Sequence, residues 1–421
     1  MNKNSKRYGA QAAAGALLGA FLANGTYNVL SIYLLPLSER MGASITSIAL
    51  LFTFGSVGSM IGSFLLGALL KRMSAKALAS IGSICFGLFF IILGFTTSLP
   101  LLYVGGALFG FSTVAAGMTI AQTIANWWFV KGRAKVISFI TVGIGLGGLV
   151  LSPIVAGLIA SFGIQKAALI QGISIGALLL INSIFIIPNK PETYGVLPVG
   201  AEEVQETASN TNVSVAHSLS VNEILKTVPF WLVTASALIG NLVFCGFLNN
   251  ASALYQSMGA SAGQAALCIS VYNLVRLGWS TLYGTASDKF GMRPSSTVFL
   301  IITTLTFFAS TKLTGMAGAM ITASLIGSIS IIGMLGAVCL PKIYGAKESA
   351  SLIGISVAIA TIGAMIGSPF AARIYEVTGS YNTFMVIGGV LLIVVIVCLM
   401  TATSEKSINK IRMKAEQKAS N

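Results

Sequence analysis

Long apolar runs occupy most of this 421-residue chain, and charges, prolines and glycine clusters interrupt them at regular intervals. An α-helix needs about 20 mostly apolar residues to cross the hydrocarbon core of a bilayer. The pattern therefore predicts an all-α membrane protein with twelve transmembrane helices. The predicted helices span residues 10–35, 46–70, 77–97, 101–128, 134–160, 166–187, 229–256, 263–287, 294–312, 316–342, 350–373 and 382–403.

One long polar stretch divides the apolar runs into two sets of six. It begins at Pro188 and contains five glutamates and the only histidine of the chain, His217. We therefore predict four parts along the chain. They are an N-terminal six-helix half at residues 1–187, a cytoplasmic linker at 188–228, a C-terminal six-helix half at 229–403 and a basic cytoplasmic tail at 404–421.

Composition supports the membrane assignment and sets the orientation. Hydrophobic residues make up 55% of the chain, charged residues 9%, and the net charge is +14, which leaves too little charge to cover a soluble fold. Twenty basic residues fall in the tails and the even-numbered connections, and four fall in the odd-numbered ones. The positive-inside rule then predicts a multi-pass protein of the plasma (inner) membrane with both termini cytoplasmic. Anionic membrane lipid accounts for the basic charge, so no nucleic-acid partner is predicted.

Short words recur at a nearly constant offset along the chain. The tetrapeptide MGAS occurs at residues 41–44 and 258–261, which are 217 positions apart. Residues 67–76 align with 284–293 at the same offset, and 152–163 align with 368–379 at an offset of 216. Asn24 and Asn241 are also 217 apart. We infer that the second half is a degenerate copy of the first.

The residue inventory argues against enzyme chemistry. The chain has one aspartate and one histidine, both in predicted loops, so no catalytic triad, carboxylate pair or histidine-based metal site can be assembled. The glycine-rich word GIGLGG at residues 143–148 lies within an apolar run and is interpreted as close helix packing. The five cysteines are scattered singly and are interpreted as small apolar residues. We predict no cofactor and no metal.

Arg276 is the one charge predicted near the middle of a membrane helix. All acidic residues fall in loops, tails or helix ends, and an arginine at a helix centre costs about 2.5–3.5 kcal/mol to insert. With no membrane carboxylate as partner, its expected partner is an anion that arrives from solution. The alternative is a structural role, in which Arg276 donates hydrogen bonds to carbonyls and to neighbouring Asn or Tyr side chains.

Polar and aromatic residues at helical spacing extend this candidate site. In helix eight they form one stripe, and shorter stripes occur at similar depth in helices one, four and seven. Each residue alone could instead be a bond between helices; together they predict a substrate-binding lining. The candidates are Arg276, Tyr272, Asn273, Trp279 and Ser280 with Tyr283 in helix eight, Asn24, Tyr27 and Asn28 with Ser31 in helix one, Asn241 and Cys245 with Asn249 in helix seven, and Gln122 with Thr119 and Asn126 in helix four.

The two-half pattern resembles the major facilitator superfamily, whose transporters are built from parallel six-helix repeats. Residues 284–293, GTASDKFGMR, match the loop signature of that superfamily through Gly284, Asp288, Lys289, Gly291 and Arg293. The first-half copy departs from the signature, because a lysine replaces the acid and a serine replaces the second glycine. The resemblance implies a transporter that works by alternating access.

Three stretches resemble the oxalate:formate antiporter and monocarboxylate transporter branch. They are ANWWFVKGRAKVISF at the end of helix four, NKPETYGVLPVG after helix six and TVPFWLV entering helix seven. Two departures matter: the family's helix-eight arginine aligns with Ser280, and its helix-eleven lysine aligns with Ala360. One cation cannot neutralise a dicarboxylate, so a monovalent organic anion is favoured.

We therefore predict a monomeric transporter of a small organic anion, with Arg276 as the anion-binding residue and membrane lipid as its surroundings. The alternative is an exporter of amphipathic or neutral compounds, suggested by GGLVLSPIVAG at residues 147–157. A membrane receptor without transport is disfavoured, because both halves keep the transporter pattern. The residues leave open whether coupling is by exchange, by proton symport or absent.

Overall fold

The computed structural model describes residues 3–130, 133–199, 221–344, 349–405 and 407. The predicted positions Lys131, Gly200 and His217 and most of the tail lie outside the described residues, as does the side chain of Asp288. The chain divides into two units, Met1–Val213 and Ser214–Asn421.

Twelve long helices account for most of the described residues, and this confirms the predicted all-α architecture. In the first unit they are α1 (3–41), α2 (Ile45–Arg72), α3 (Ala75–Phe95), α4 (Leu99–Trp128), α5 (133–162) and α6 (164–186). In the second unit they are α7 (Val228–Ser257), α8 (Ala262–Phe290), α9 (Met292–Ser310), α10 (315–344), α11 (Ser349–Thr378) and α12 (Tyr381–Ala402). Only an isolated bridge between Phe129 and Val199 has β geometry in this part of the chain.

Most of these helices are long and apolar enough to cross a membrane. Ten such segments occur among the described residues, and one of them, Lys135–Ile186, has 52 residues. Gly163 breaks that segment into α5 and α6, because its φ of 73° is outside the helical region. The helix not represented among the ten is α8, whose polar and aromatic stripe lowers its hydropathy. The helix that is absent from this set is thus the one that carries Arg276.

The repeated sequence words correspond to the same turns in both units. In each copy of MGAS the glycine has a left-handed φ, 58° at Gly42 and 100° at Gly259. The serine that follows, Ser44 or Ser261, accepts a hydrogen bond from a backbone N–H three residues on and caps the next helix. A glycine can adopt that φ without strain, and serine is a preferred cap. The repeat therefore preserves turn chemistry as well as sequence.

Several helices change pitch along their length, which the sequence pattern did not indicate. Three π-helical turns occur in the described part of the first unit, Ala20–Asn24 in α1, Thr113–Gly117 in α4 and Asn182–Ile186 in α6. In the second unit the middle of α10, Ile326–Met334, is a nine-residue 3₁₀ helix. Runs of 3₁₀ helix longer than 3–4 residues are uncommon and often mark functional segments.

Buried aromatic rings pack the interior of each unit. In the first unit, rings of α3 and α4 contact one another at centroid distances of 4.6 to 6.2 Å; they are Phe86, Phe89, Phe90 and Phe109. In the second unit Phe247 of α7 contacts Tyr272 of α8 and Phe307 of α9. These contacts pack α7 against α8 and α9.

Candidate substrate-binding site

Arg276 lies at the centre of α8 and is only partly buried. Its guanidinium carbon is 5.9 Å from the ring centroid of Phe244 in α7, which is within reach of a cation–π contact. The nearby Tyr272 hydroxyl interacts with it electrostatically, but the two groups form no hydrogen bond of ordinary geometry. No carboxylate among the described side chains pairs with Arg276. Among the described residues, Arg276 therefore has the Phe244 ring and the Tyr272 hydroxyl as neighbours and no carboxylate as partner.

Of the buried polar side chains in α7 and α8, three close to Arg276 or Cys245 along the chain have atoms without a hydrogen-bond partner among the described residues. They are the hydroxyl of Tyr272, the Oδ1 of Asn273 and both amide atoms of Asn249. Tyr272 and Asn273 are one turn from Arg276 on α8, and Asn249 is one turn from Cys245, which lies within electrostatic reach of Tyr272. Buried polar atoms without partners are rare and costly. This group of atoms can accept new hydrogen bonds from a ligand, or donate them, without breaking existing ones.

The other end of the helix-eight stripe is occupied by packing between helices. Trp279 Nε1 donates a hydrogen bond of 3.0 Å to Ser324 O in α10. Ser280 and Ser330 share a hydrogen bond of 3.2 Å between their hydroxyls. The Tyr283 hydroxyl lies 2.8 Å from the Ser296 hydroxyl in α9. The predicted stripe therefore divides into an unpaired part around Arg276 and a part bonded to α9 and α10.

Gly327, which sequence reasoning missed, brings the 3₁₀ segment of α10 directly against the arginine. A Cβ at this position would lie 2.7 Å from Trp279 Cδ1 and 3.2 Å from the Arg276 backbone nitrogen. Only a glycine allows so close an approach. The only indication of this contact in the sequence is the run of small residues within 324–330. They follow the pattern by which membrane helices pack closely.

The predicted residues of α7 and α4 have different environments. Asn241 Nδ2 donates to the Ala237 carbonyl of its own helix at 2.8 Å. Cys245 is buried, with 7% of its surface exposed. Gln122 is partly buried, and none of the described residues forms a hydrogen bond with its amide. Asn241 thus has a local partner, whereas the Gln122 amide is available.

The predicted residues of α1 contact other helices of the first unit. Asn24 Oδ1 accepts a hydrogen bond of 2.7 Å from the backbone nitrogen of Met118, where α4 resumes α-helical geometry after its π turn. Asn28 Nδ2 lies 3.5 Å from the Ile144 carbonyl of α5. The Tyr27 ring is stacked with Phe109 at 6.2 Å. A further asparagine that sequence reasoning missed, Asn182 of α6, donates to the Gly15 carbonyl at 3.0 Å.

The predicted loop motif lies at the turn from α8 to α9. Gly291 separates the two helices with a φ of 91°, which explains why the motif needs a glycine there. Lys289 is exposed, and its ammonium lies 5.5 Å from the ring centroid of Phe290. Gly284 and Arg293 are exposed. The acidic residue of the motif, Asp288, has no described side chain, so its predicted role stays a prediction.

Two of the three family-like stretches contact each other. One is the end of α4 around Trp128, and the other is the start of the linker, residues 188–199, which we call the linker clasp. Its Tyr194 ring stacks on Tyr8 of α1 at 4.4 Å and lies 6.1 Å from Trp128 of α4. Trp128 Nε1 donates to the Asn189 carbonyl at 3.0 Å, and Val199 N donates to the Trp128 carbonyl at 2.8 Å. The tryptophan and the proline-glycine motif thus form one unit that fastens the start of the linker to α1 and α4.

Comparison with known proteins identifies the family. A family model described as Major Facilitator Superfamily matches residues 16–250 and 242–420. The chain belongs to this superfamily, and it is a multi-pass membrane transporter.

Curated relatives are distant. The oxalate:formate antiporter of Oxalobacter formigenes is 24% identical over 282 residues, which cover 66% of this chain and 62% of the antiporter. The uncharacterized MFS-type transporter YhjX of Escherichia coli (strain K12) is 23% identical over 279 residues, which cover 65% of each chain. The chain therefore spans just under two thirds of the length of these two relatives.

Solved structures of transporters share the fold. A bacterial homolog of the human lysosomal transporter Spinster aligns with a TM-score of 0.72 and 15% identity, over 98% of this chain and 99% of that one. The nucleoside transporter NupG aligns with a TM-score of 0.71 and 14% identity, over 96% and 99% of the two chains. A D-xylose–proton symporter gives 0.71 and 16%, over 95% and 98%. At this identity the likeness concerns the fold alone.

Proposed function

We propose that this protein carries a small monocarboxylate across the membrane by alternating access, and that Arg276 binds the carboxylate. The observation that carries the proposal is the environment of Arg276. It is a central membrane cation with no carboxylate partner among the described side chains, beside buried polar atoms that have no hydrogen-bond partner in the same part of the chain. A guanidinium forms paired hydrogen bonds with a carboxylate in a planar geometry. A carboxylate in this position would offset the cost of burying the charge.

A comparison with Arg40 within the same chain favours ligand binding over a structural role. Arg40, near the end of α1, donates three hydrogen bonds of 2.6 to 2.8 Å to carbonyls at the end of α3. Such bonds are what a structural arginine makes, since they satisfy the last carbonyls of a helix. Arg276 makes none of them to the described residues. The guanidinium N–H groups that bond to no described carbonyl are the donors that we assign to the ligand.

The single charge sets the class of anion. A dicarboxylate would bring a second negative charge, and the sequence supplies no second cation at mid-span. The similarity to an oxalate:formate antiporter supports an organic anion as cargo. The differences at Ser280 and Ala360 support a monocarboxylate in place of a dicarboxylate. Exchange of one anion for another requires no titrating membrane carboxylate, so exchange is the simplest coupling.

The test is counterflow of labelled monocarboxylates in proteoliposomes, with Arg276→Lys and Arg276→Gln. Lysine offers only a point charge, so Arg276→Lys should weaken transport, and Arg276→Gln should nearly abolish it. We expect a loss of about 100-fold in substrate affinity for Arg276→Gln, because removing one partner of a desolvated charge pair costs about 2–5 kcal/mol. Ligand-induced thermal stabilisation should disappear in parallel.

Arg40→Gln is the matched control. It removes an arginine of the same chain that bonds to carbonyls, so it should lower the melting temperature while leaving anion-induced stabilisation in place. If Arg276→Gln retains wild-type counterflow and stabilisation by the anions, Arg276 is not the anion site. Transport of a lipophilic cation dye in place of the monocarboxylates would favour the exporter alternative.

A further inference from the structure

A groove on the surface of the first unit lies outside the candidate substrate site. It runs between α3 and α6 and has a volume of about 190 Å³. Its lining is almost entirely apolar, and it consists of Ser83, Ile84, Gly87, Ile91, Gly172, Ile173, Gly176, Ala177 and Leu180. The lining residues lie within 83–91 of α3 and 172–180 of α6, and each of these stretches extends about 12 Å along its helix axis. The groove is therefore long and narrow.

Glycines form the floor of the groove and isoleucines form its rims. Ile84 and Ile173 have 54% and 64% of their surface exposed, as expected for side chains that face lipid. A Cβ added at Gly176 would meet nothing closer than 3.6 Å, and one at Gly87 nothing closer than 3.9 Å. The missing side chains leave space that the two helices do not fill. In a bilayer, hydrocarbon is the material available to fill it.

A cationic side chain lies just beyond one end of the groove. Lys76 of α3 reaches across to α6, where its Nζ donates a hydrogen bond of 3.1 Å to the Ile184 carbonyl. Ile184 is one turn beyond Leu180, the last lining residue of α6. The ammonium group has three N–H donors, so two remain. Lys71 and Arg72, at the end of α2, are exposed close by in sequence.

We propose that α3 and α6 bind one anionic phospholipid, with an acyl chain in the groove and the phosphate at Lys76. Lys76 precedes Ser83 by seven residues, or about 10 Å of helix, which separates a headgroup from the upper part of its own acyl chain. The three cations lie in a connection that the charge pattern predicts to be cytoplasmic. Anionic lipids of that leaflet attract basic residues near the surface. Charge and shape thus select the same ligand, and this site is independent of Arg276.

The test is native mass spectrometry of the purified full chain with phosphatidylglycerol, with phosphatidylcholine of identical acyl chains, and with glycerol 3-phosphate. Wild-type protein should bind phosphatidylglycerol more tightly than phosphatidylcholine, and it should not retain glycerol 3-phosphate. Lys76→Gln should reduce the preference for the anionic lipid by about fivefold, the effect of one cation near a membrane surface. Gly176→Leu should weaken binding of both lipids, because its side chain fills the groove.

Two variants serve as controls, and a second groove variant guards against misfolding. Lys166→Gln removes an exposed cation near the other end of α6, and Gly157→Leu adds a side chain at an exposed glycine of α5 with open space around it. Neither should change lipid binding, whereas Gly87→Leu should reproduce Gly176→Leu. Wild-type lipid binding by Lys76→Gln and by both groove variants would overturn the proposal. So would retention of glycerol 3-phosphate, or a wild-type dimer that Gly176→Leu converts to monomer.

Discussion

At the scale of single residues, two asparagines at equivalent positions of the repeat have different roles. Asn24 accepts the Met118 N–H, at the point where α4 resumes after Gly117. The first N–H groups of a helix have no acceptor within the helix, so Asn24 caps α4 from a neighbouring helix. Among the described residues, its repeat counterpart Asn241 bonds to its own helix, through the Ala237 carbonyl. Sequence position alone could not distinguish these roles, because the acceptor depends on a π turn in another helix.

This difference gives a prediction about stability. Asn24→Leu keeps the side-chain volume but leaves the Met118 N–H unpaired, so it should reduce the free energy of unfolding by about 1–3 kcal/mol. Asn241→Leu should change it by less than about 0.5 kcal/mol. Thermal or denaturant unfolding of the purified protein in detergent measures both. Equal losses in the two variants would show that capping of α4 is not the cause.

At the scale of elements, the linker clasp explains why two distant sequence motifs occur together. The serine hydroxyl of Ser5 donates to the Leu197 carbonyl at 2.7 Å. A Cβ on Gly9 would lie 2.7 Å from Val199 Cγ2, so the glycine admits the clasp against α1. Together with the rings of Tyr8, Trp128 and Tyr194, these contacts fasten residues 188–199 to the helices before them. The clasp therefore stabilises the N-terminal end of α1 and the C-terminal end of α4.

Removing the central ring of the clasp should loosen it. Tyr194→Ala loses the stack on Tyr8 and the hydrogen bond from Asn189 N to its hydroxyl. We expect a loss of about 1–3 kcal/mol in unfolding free energy and faster proteolysis within residues 188–199. Tyr194→Phe keeps the stack and should show a smaller loss.

Leu197→Ala is the control for the clasp, because this side chain is 55% exposed and only its carbonyl makes the described contact. It should unfold and be cleaved like the wild type. Cleavage of Tyr194→Ala at the wild-type rate would contradict the role assigned to the aromatic stack.

The existence of the helices was predictable from the sequence, but their irregular pitch was not. Runs of about 20 apolar residues are sufficient to identify membrane helices, and the predicted gap between residues 160 and 166 contains Gly163, where the structure separates α5 from α6. The prediction ended the first helix at residue 35, before Pro36, yet the helix continues to Met41. Proline is tolerated there because it lies in the first turn of the α-helical segment Leu34–Met41. The π and 3₁₀ segments depend on contacts with other helices, such as that of Gly327 with α8.

The candidate site was predictable to a similar extent. Arg276 could be identified because a charge in an apolar run is conspicuous. Its separation from the bonded residues Trp279 and Ser280 could not, since it depends on which face of α8 meets α10. The residues around it that determine this geometry, Phe244 and Gly327, are apolar or small and carry no chemical signal.

At the scale of the whole molecule, the orientation of the chain is the next property to test. The charge pattern predicts that the linker and both termini face the cytoplasm. A cysteine introduced at Ser209 should resist an impermeant thiol reagent in intact cells, and one at Ser98, an exposed residue before α4, should react. The background should lack the five native cysteines, of which Cys85 and Cys398 are partly exposed. Labelling at Ser209 with protection at Ser98 would reverse the topology.

The 3₁₀ segment of α10 has a geometrical consequence for a transporter. A 3₁₀ helix advances about 2.0 Å and turns about 120° per residue, against 1.5 Å and 100° for an α-helix. Rewinding the nine residues of Ile326–Met334 as an α-helix would shorten α10 by about 4.5 Å and rotate Leu335–Tyr344 by about 180°. A change of helix type in this segment would thus turn the side chains of Leu335–Tyr344 towards the opposite side of α10. Gly327, near the start of the 3₁₀ segment, packs against the backbone of Arg276. Binding of a substrate at Arg276 and rotation of the end of α10 would therefore be coupled.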